Sequence, residues 1–312
     1  MSRSFDERAM RVARFTTPRH HGRSQRMEAG MGDFSDKSEM VPGGGRGIGA
    51  AIERHFAVAG ASTSNITMSE LKVAVVTPTI GTKYLKRNLE SVSKQTYKTN
   101  HVVVIDGPQY YDNFDLAEYN DKTVINLPEN TGAGGYNGHR IYGAIPFLID
   151  ADYFIFLDED NWIDENHVQS LVDAVKDKDW AFSLRKIVNK DGDYICNDDC
   201  ESLGSWPTCL NENEFFVDVG CYFLPKKLAV QLAPIWYRRA RHPQEQPEVD
   251  RLLMHLLRQN KLNFTNTGEY TLNYMVGNRE DSVQAGFFES GNKFMEQKYG
   301  GIFPWRKENH NK

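Results

Sequence analysis

Short apolar runs alternate with segments of helical spacing along the chain from residue 71 onward. The run 72–77 is apolar and β-branched, which is typical of a strand covered on both faces. Leu85, Leu89 and Val92 recur at the spacing of a helix. Further strands are predicted at 101–105, 123–127 and 153–157. Because short buried strands alternate with helices, the pattern predicts an α/β fold with a mostly parallel central sheet flanked by helices.

The pattern changes after a helix predicted from 166 to about 176. Hairpin-like strands are expected around 190–192, the run 217–224 is expected to be buried, and a strong apolar stripe predicts a helix over 247–260. We therefore divide the ordered part into two halves of one domain, 71–180 and 181–312, the second with mixed strand directions.

Residues 1–70 show neither a helical nor a strand period, and we expect a disordered or poorly structured extension. The segment 41–63 contains a glycine-rich stretch that resembles the turn of short-chain dehydrogenases. Its context differs from that family, because the preceding residues are polar and the Tyr-x-x-x-Lys pair occurs only as Tyr222 and Lys226, with a proline between them. We interpret 41–63 as non-functional.

Composition narrows the classes of function. Lys plus Arg number 37 and Asp plus Glu 42, so the net charge is −5, which argues against nucleic acid as a partner. Hydrophobic residues make up 40%, an ordinary value for a soluble globular protein, and no apolar run has the length of a membrane span. The start of the chain has no secretory apolar region, so the cytoplasm is the expected compartment. The four cysteines are expected to be reduced thiols.

The most informative motif directly follows the fourth predicted strand, where Asp158, Glu159 and Asp160 succeed an apolar run. Residues two apart point to the same side, so Asp158 and Asp160 can converge on one hard cation while Glu159 faces elsewhere. Mg²⁺ or Mn²⁺ held in this way retains open positions for diphosphate oxygens. The sequence therefore predicts a metal and diphosphate site at Asp158 and Asp160.

Five stretches in order carry a resemblance to a known family, and they are 75–79, 84–97, 104–107, 130–138 and 156–160. Together they resemble the nucleotide-sugar-binding half of family 2 glycosyltransferases, which have a GT-A fold. The resemblance implies that 71–180 binds a nucleoside diphosphate sugar and that 181–312 binds the acceptor. It also implies an inverting transfer of the sugar to an acceptor hydroxyl.

The same resemblance assigns roles to individual residues. The residues expected to contact the nucleotide, the ribose or the sugar are Pro78, Thr79, Asp106, Asn130, Gly132, Gly134, Gly135 and Asp158. Asp160 is expected to be the principal ligand of the metal. Each glycine also has a simpler interpretation as part of a helix entry, and Asp106 as a turn residue.

Inversion by single displacement needs a carboxylate base on the acceptor side. The family places it in an acidic pair that opens a helix, and here Glu248 and Asp250 are the candidates, of which we prefer Asp250. Acids at a helix start also complement the helix dipole. Expected walls of the acceptor site, with core packing as the alternative for each, are Trp206, Asp218, Cys221, Tyr222 and Trp236.

These observations lead to the hypothesis of a metal-dependent glycosyltransferase of cell-surface polysaccharide or lipopolysaccharide assembly. Its expected partners are a nucleotide sugar, a glycan or glycolipid acceptor, and the membrane surface by peripheral contact. A catalytically silent nucleotide-sugar-binding subunit is one alternative. A sugar-nucleotide pyrophosphorylase is another, although the residues 79–83 lack the glycine-rich basic loop of that class.

Overall fold

The computed structural model describes residues 71–114, 121–238, 249–279 and 282–309. The predictions for 1–70, including the dehydrogenase-like segment 41–63, fall outside these residues, as does Glu248. None of the described helices combines the length and the apolar character that a membrane span requires.

Nine strands form the sheet in the described part of the chain. They are β1 Val73–Thr79, β2 Thr99–Ile105, β3 Thr123–Asn126, β4 Tyr153–Phe156, β5 Trp162–Ile163, β6 Trp180–Val188, β7 Tyr194–Asn197, β8 Tyr222–Pro225 and β9 Phe264–Met275. Their order in the sheet is β3-β2-β1-β4-β8-β6-β9-β5, with β7 paired to β6.

The helices lie between these strands in the chain. They are α1 Leu85–Ser93, α2 His139–Leu148, α3 His167–Val175, α4 Lys226–Trp236, α5 Val249–Gln259 and α6 Ala285–Tyr299. The helices predicted after 84, after 138, after 166 and over 247–260 thus correspond to α1, α2, α3 and α5, although 247 and 248 are not described.

The parallel half of the sheet is built around β1, which is buried along its whole length. It pairs in parallel with β2 on one side and with β4 on the other, and β2 pairs in parallel with β3. Burial on both faces explains the uninterrupted apolar run of this strand. Pro78 is tolerated because the pairing of β1 with β4 ends at Val76.

The second half has mixed directions, as predicted. β8 is antiparallel to both β4 and β6, whereas β6 and β9 run in parallel. The hairpin predicted around 190–192 joins β6 to β7. The segment 217–224 is buried, also as predicted, and all four cysteines are free thiols.

Candidate active site

Three loops meet at the carboxyl ends of the parallel strands. They follow β1, β2 and β4: the first begins after Thr79, the second contains Asp106, and the third contains the turn 157–161. The β2 end is fixed to the β1 end because the Asp106 amide donates to the Thr79 carbonyl at 2.9 Å. Ligands of parallel α/β sheets bind at this edge, so the predicted donor residues lie where such a site is expected.

Asp158 and Asp160 both face this edge of the sheet. The Tyr142 hydroxyl on α2 donates to Asp158 Oδ1 at 2.5 Å, and the Asn278 side chain donates to Asp160 Oδ2 at 2.5 Å. Each aspartate therefore has one carboxylate oxygen engaged by a neighbouring element. The described residues contain no group of three or more His, Cys, Asp or Glu side chains that could hold a metal.

The surroundings of both aspartates disfavour their charged forms. The surrounding protein atoms desolvate Asp158 and raise its pKa, although the residue keeps solvent-accessible surface. Burial first, and then the neighbouring charges of Asp158 and Glu159, raise the pKa of Asp160 to about 7. Arg279 acts in the opposite direction on both. A cation placed between the two carboxylates would relieve their repulsion.

The turn that carries these aspartates is fixed from two sides. The side-chain Nδ2 of Asn88 on α1 donates to the backbone carbonyls of Asp158 and Asn161 at 3.0 and 3.1 Å. The Asn161 side chain accepts from the Met275 amide at the end of β9 at 2.9 Å. Asn88 and Asn161 are buried, so the turn is held by satisfied polar groups rather than left to solvent.

Glu159 binds the end of β1 and the loop that follows it. Its carboxylate accepts from the Thr79 hydroxyl at 2.6 Å, from the Thr82 amide at 3.1 Å and from the Ile80 amide at 3.4 Å. This carboxylate therefore couples the loop expected to contact the nucleotide to the turn expected to hold the metal. The sequence pattern gave no signal for this role.

Asp106 organises the glycine-rich loop. Its carboxylate accepts from the Thr131 amide at 2.7 Å, from the Thr131 hydroxyl at 2.8 Å and from the Gly132 amide at 2.8 Å. A Cβ at Gly132 would lie 2.5 Å from the Asn137 carbonyl oxygen, so only glycine fits there. The predicted contact between Asp106 and the nucleotide stays a prediction.

The other residues of that loop are less constrained by contacts. The Asn130 side chain accepts from the Ala133 amide at 3.0 Å. Gly134 and Gly135 have positive φ angles of 76° and 86°, which explains their residue type without a ligand. A Cβ at Gly135 would meet nothing within 4 Å, so this part of the loop borders open space.

Asp250 and Asp218, from the second half of the chain, lie in a shared electrostatic environment. Asp250 is in the first turn of α5. Burial is the main cause that raises its pKa to about 7, and the charges of Asp218 and Glu201 contribute less. Asp218 is near enough to Asp158 for the charge of Asp158 to contribute to its raised pKa, although burial is the larger cause. Asp218 therefore links the two acidic groups electrostatically.

The remaining candidates lie mainly in the core. Cys221, Tyr222 and Trp236 are buried, and Trp206 packs edge-on against Trp305 at a centroid distance of 5.8 Å. For these residues the structure favours core packing over a role as acceptor walls. Sequence reasoning missed Tyr142, Asn88, Asn278 and Arg279, which come from other helices and from the loop after β9.

The donor set at Asp158 and Asp160 fits a hard divalent cation. Mg²⁺ in nucleotide sites is bound by one or two carboxylates together with substrate phosphates, so two aspartates are sufficient on the protein side. Burial is the main cause of the raised pKa values of both acids, and a bound cation would add to the effect of Arg279 in favouring their charged forms.

Comparisons with known proteins found a family match and partial structural similarities. Residues 74–198 match the model of Glycosyl transferase family 2. Solved structures of S. aureus TarS are similar over part of their length. TarS 1-349 has a TM-score of 0.48 and 17% identity over 66% of this chain and 60% of that chain. Its complex with UDP-GlcNAc has a TM-score of 0.49 and 16% identity over 74% and 66%. No curated protein matches the chain.

The fold is of the α/β class with a mostly parallel sheet, as the sequence predicted, and the acids at its carboxyl edge lie within the part of the chain that matches the glycosyltransferase model. The match to Glycosyl transferase family 2 covers strands β1 to β7 and the acidic turn after β4. The prediction of a GT-A type architecture is confirmed, with a parallel half and a mixed half in one sheet. The chain spans 60% of the length of TarS 1-349.

Proposed function

We propose that the protein transfers a sugar, with inversion, from a nucleoside diphosphate donor to an acceptor hydroxyl. The observation that carries this proposal is a group of acids that interact with one another at the carboxyl edge of the sheet. Asp158 and Asp160 lie at the sheet edge, Asp250 lies on α5, and Asp218 interacts electrostatically with Asp158 and Asp250. A single displacement requires a donor site and a base close to each other.

The donor side positions the nucleotide with the loop after β1 and with the glycine-rich loop. Glu159 holds the first of these loops, and Asp106 holds the second through Thr131 and Gly132. Both carboxylates act within the protein, which leaves backbone and glycine surfaces for the donor. Fixed loops reduce the entropy lost when the donor binds.

The acceptor side supplies the base, for which we propose Asp250. A carboxyl with a pKa of about 7 is partly ionised at neutral pH and is a stronger base than an ordinary aspartate. Its carboxylate would take the proton of the acceptor hydroxyl as the hydroxyl oxygen attacks the anomeric carbon and the bond to the diphosphate breaks. Glu248 stays the second candidate for this role.

Asp158 and Asp160 would hold Mg²⁺ or Mn²⁺. When bound, such an ion neutralises negative charge on the departing nucleoside diphosphate. Tyr142 and Asn278 orient the two carboxylates by hydrogen bonds, and Arg279 adds positive charge nearby.

We further propose a role in cell-surface polysaccharide or lipopolysaccharide assembly, on the cytoplasmic side of the membrane with peripheral contact. The exposed apolar side chains Phe147 and Leu148 at the end of α2 are consistent with such contact, at 61% and 69% exposure. The acceptor is then a glycan or a glycolipid.

The test measures nucleoside diphosphate release from a panel of nucleotide sugars with Mn²⁺ or Mg²⁺, using water or added glycans as acceptors. We expect the wild type to release nucleoside diphosphate and Asp160→Asn to release it at least tenfold more slowly. Asp177→Asn, which changes an exposed acid on the surface, should leave the release unchanged. Equal release by the Asp160 variant and the wild type would contradict the proposal. Binding of the donor without release would favour the silent-subunit alternative.

A further inference from the structure

A buried arginine connects three carboxylates next to the acids of the candidate site. Arg185 on β6 is 2% exposed. Its Nε donates to Asp198 at 2.7 Å, its Nη1 to Asp218 at 2.5 Å and its Nη2 to Glu201 at 2.6 Å. The guanidinium also lies 4.3 Å from the centroid of the Tyr274 ring. Every nitrogen of the guanidinium is thus engaged, and its orientation is fixed.

The network continues from Arg185 to the helix that carries Asp250. Glu201 accepts from Arg185 with one oxygen and from Arg251 Nη2 with the other, at 2.7 Å. Arg251 also pairs with Glu214 and lies 4.7 Å from the Phe216 ring centroid. Because Arg251 directly follows Asp250 on α5, the network ends at the proposed base.

We propose that Arg185 is a positioning residue with two roles. It holds Asp218 in place directly. Through Glu201 and Arg251 it also fixes the first turn of α5, so that Asp250 faces the acceptor. This inference rests on the proposed function, since it assigns Arg185 a role toward the proposed base. Arg185 itself contacts no expected substrate atom. Its planar fork binds several carboxylates at fixed angles, which a lysine cannot do.

The same network sets the charge around Asp250. The groups that act on its carboxyl are Asp218 and Glu201, which favour its protonated form, and Arg185, which favours its ionised form. The Arg251 amide donates to Asp250 at 2.8 Å, and the buried Tyr222 hydroxyl lies in the same electrostatic environment. Removing the Arg251 cation leaves Glu201 less compensated, and that charge then acts more strongly on Asp250.

The experiment compares three variants of the whole chain. Arg251→Gln removes the cation that pairs with Glu201. Arg185→Lys keeps the positive charge of residue 185 but loses the planar guanidinium that binds several carboxylates. Arg258→Gln is the matched control, because it removes an arginine from the same helix whose guanidinium lies over the Phe215 ring instead of the network. Nucleoside diphosphate release from a nucleotide sugar is measured from pH 5 to 9, and the Asp250 carboxyl is titrated by ¹³C NMR, assigned with Asp250→Asn.

We expect Arg251→Gln to move the acid limb of the pH profile and the NMR titration of Asp250 upward by about one pH unit. Arg185→Lys should lower kcat about tenfold with a donor KM within about twofold of wild type. If the network only stabilised the fold, the variants would reduce the amount of folded protein and leave the titration midpoint of Asp250 unchanged. If Arg185→Lys does not fold, Arg251→Gln alone decides.

The inference is overturned if Arg251→Gln titrates like wild type and like Arg258→Gln. The proposed function fails separately if the wild type releases no nucleoside diphosphate from any donor. The NMR titration, which needs no turnover, still tests the link between Arg251 and Asp250 in that case.

Discussion

Replacing Asp250 with asparagine should stabilise the fold at alkaline pH while it removes the proposed base. The Asp250 carboxyl has a pKa of about 7 in the folded protein against an ordinary value of 3.8, chiefly because of burial. An acid whose pKa is raised by folding destabilises the folded state once it ionises. The destabilisation is absent below about pH 4, grows as the pH rises, and is complete above the folded pKa.

The size of the effect follows from the two pKa values. Each pKa unit between them corresponds to about 1.4 kcal/mol. The substitution can therefore raise the free energy of unfolding by at most about 4 kcal/mol. Because the side chain is only partly shielded from solvent, we expect about 2 kcal/mol. For a domain of this size that is a rise in Tm of about 4–8 °C. The asparagine oxygen can still accept from the Arg251 amide, so that hydrogen bond is retained.

The assay is thermal or urea unfolding of the wild type and Asp250→Asn at pH 4, 6 and 8. The two proteins should be about equally stable at pH 4, and the variant should become progressively more stable than the wild type toward pH 8. Asp177→Asn, at an exposed acid, should show no such trend. A wild type that is at least as stable as Asp250→Asn at pH 8 would refute the reasoning from burial.

Three further changes test other parts of the site. Glu159→Ala removes three hydrogen bonds from the loop after β1, and we expect the donor KM to rise about tenfold in the release assay. Gly132→Ala places a Cβ 2.5 Å from the Asn137 carbonyl oxygen and should cost about 1–3 kcal/mol in urea unfolding, more than Gly135→Ala, which meets only the cost of a positive φ. Arg185→Met leaves buried carboxylates without their cation and should cost about 3–5 kcal/mol at pH 7, less at pH 5 as they protonate, as measured by urea unfolding.

Local patterns were sufficient for the parallel half of the sheet and for its acidic turn. The apolar run of β1 is long and β-branched because both of its faces are covered, and Asp158 and Asp160 follow β4 directly in the chain. The α5 stripe likewise predicted the helix that carries Asp250. Each of these features depends on neighbours within a few residues, so periodicity reports it.

The residues that bind Asp158 and Asp160 from distant parts of the chain could not be predicted from periodicity or motif spacing. Tyr142 and Asn278 reach the two aspartates from α2 and from the loop after β9. Tyr222 and Trp236 are aromatic residues that could equally line a site or fill a core, and only packing distinguishes the two.

The sequence alone was sufficient to predict the class of fold, the acids at the strand end and the resemblance that residues 74–198 share with a family model, because these depend on local hydrophobic order and motif spacing. The assembled fold alone shows that Asp198, Asp218 and Glu201 meet at the Arg185 guanidinium, that Arg251 binds the other oxygen of Glu201, and that Asp250 shares this environment. The physical reason is that burial and charge are properties of the assembled surroundings, which the antiparallel placement of β8 and the parallel pairing of β6 with β9 create.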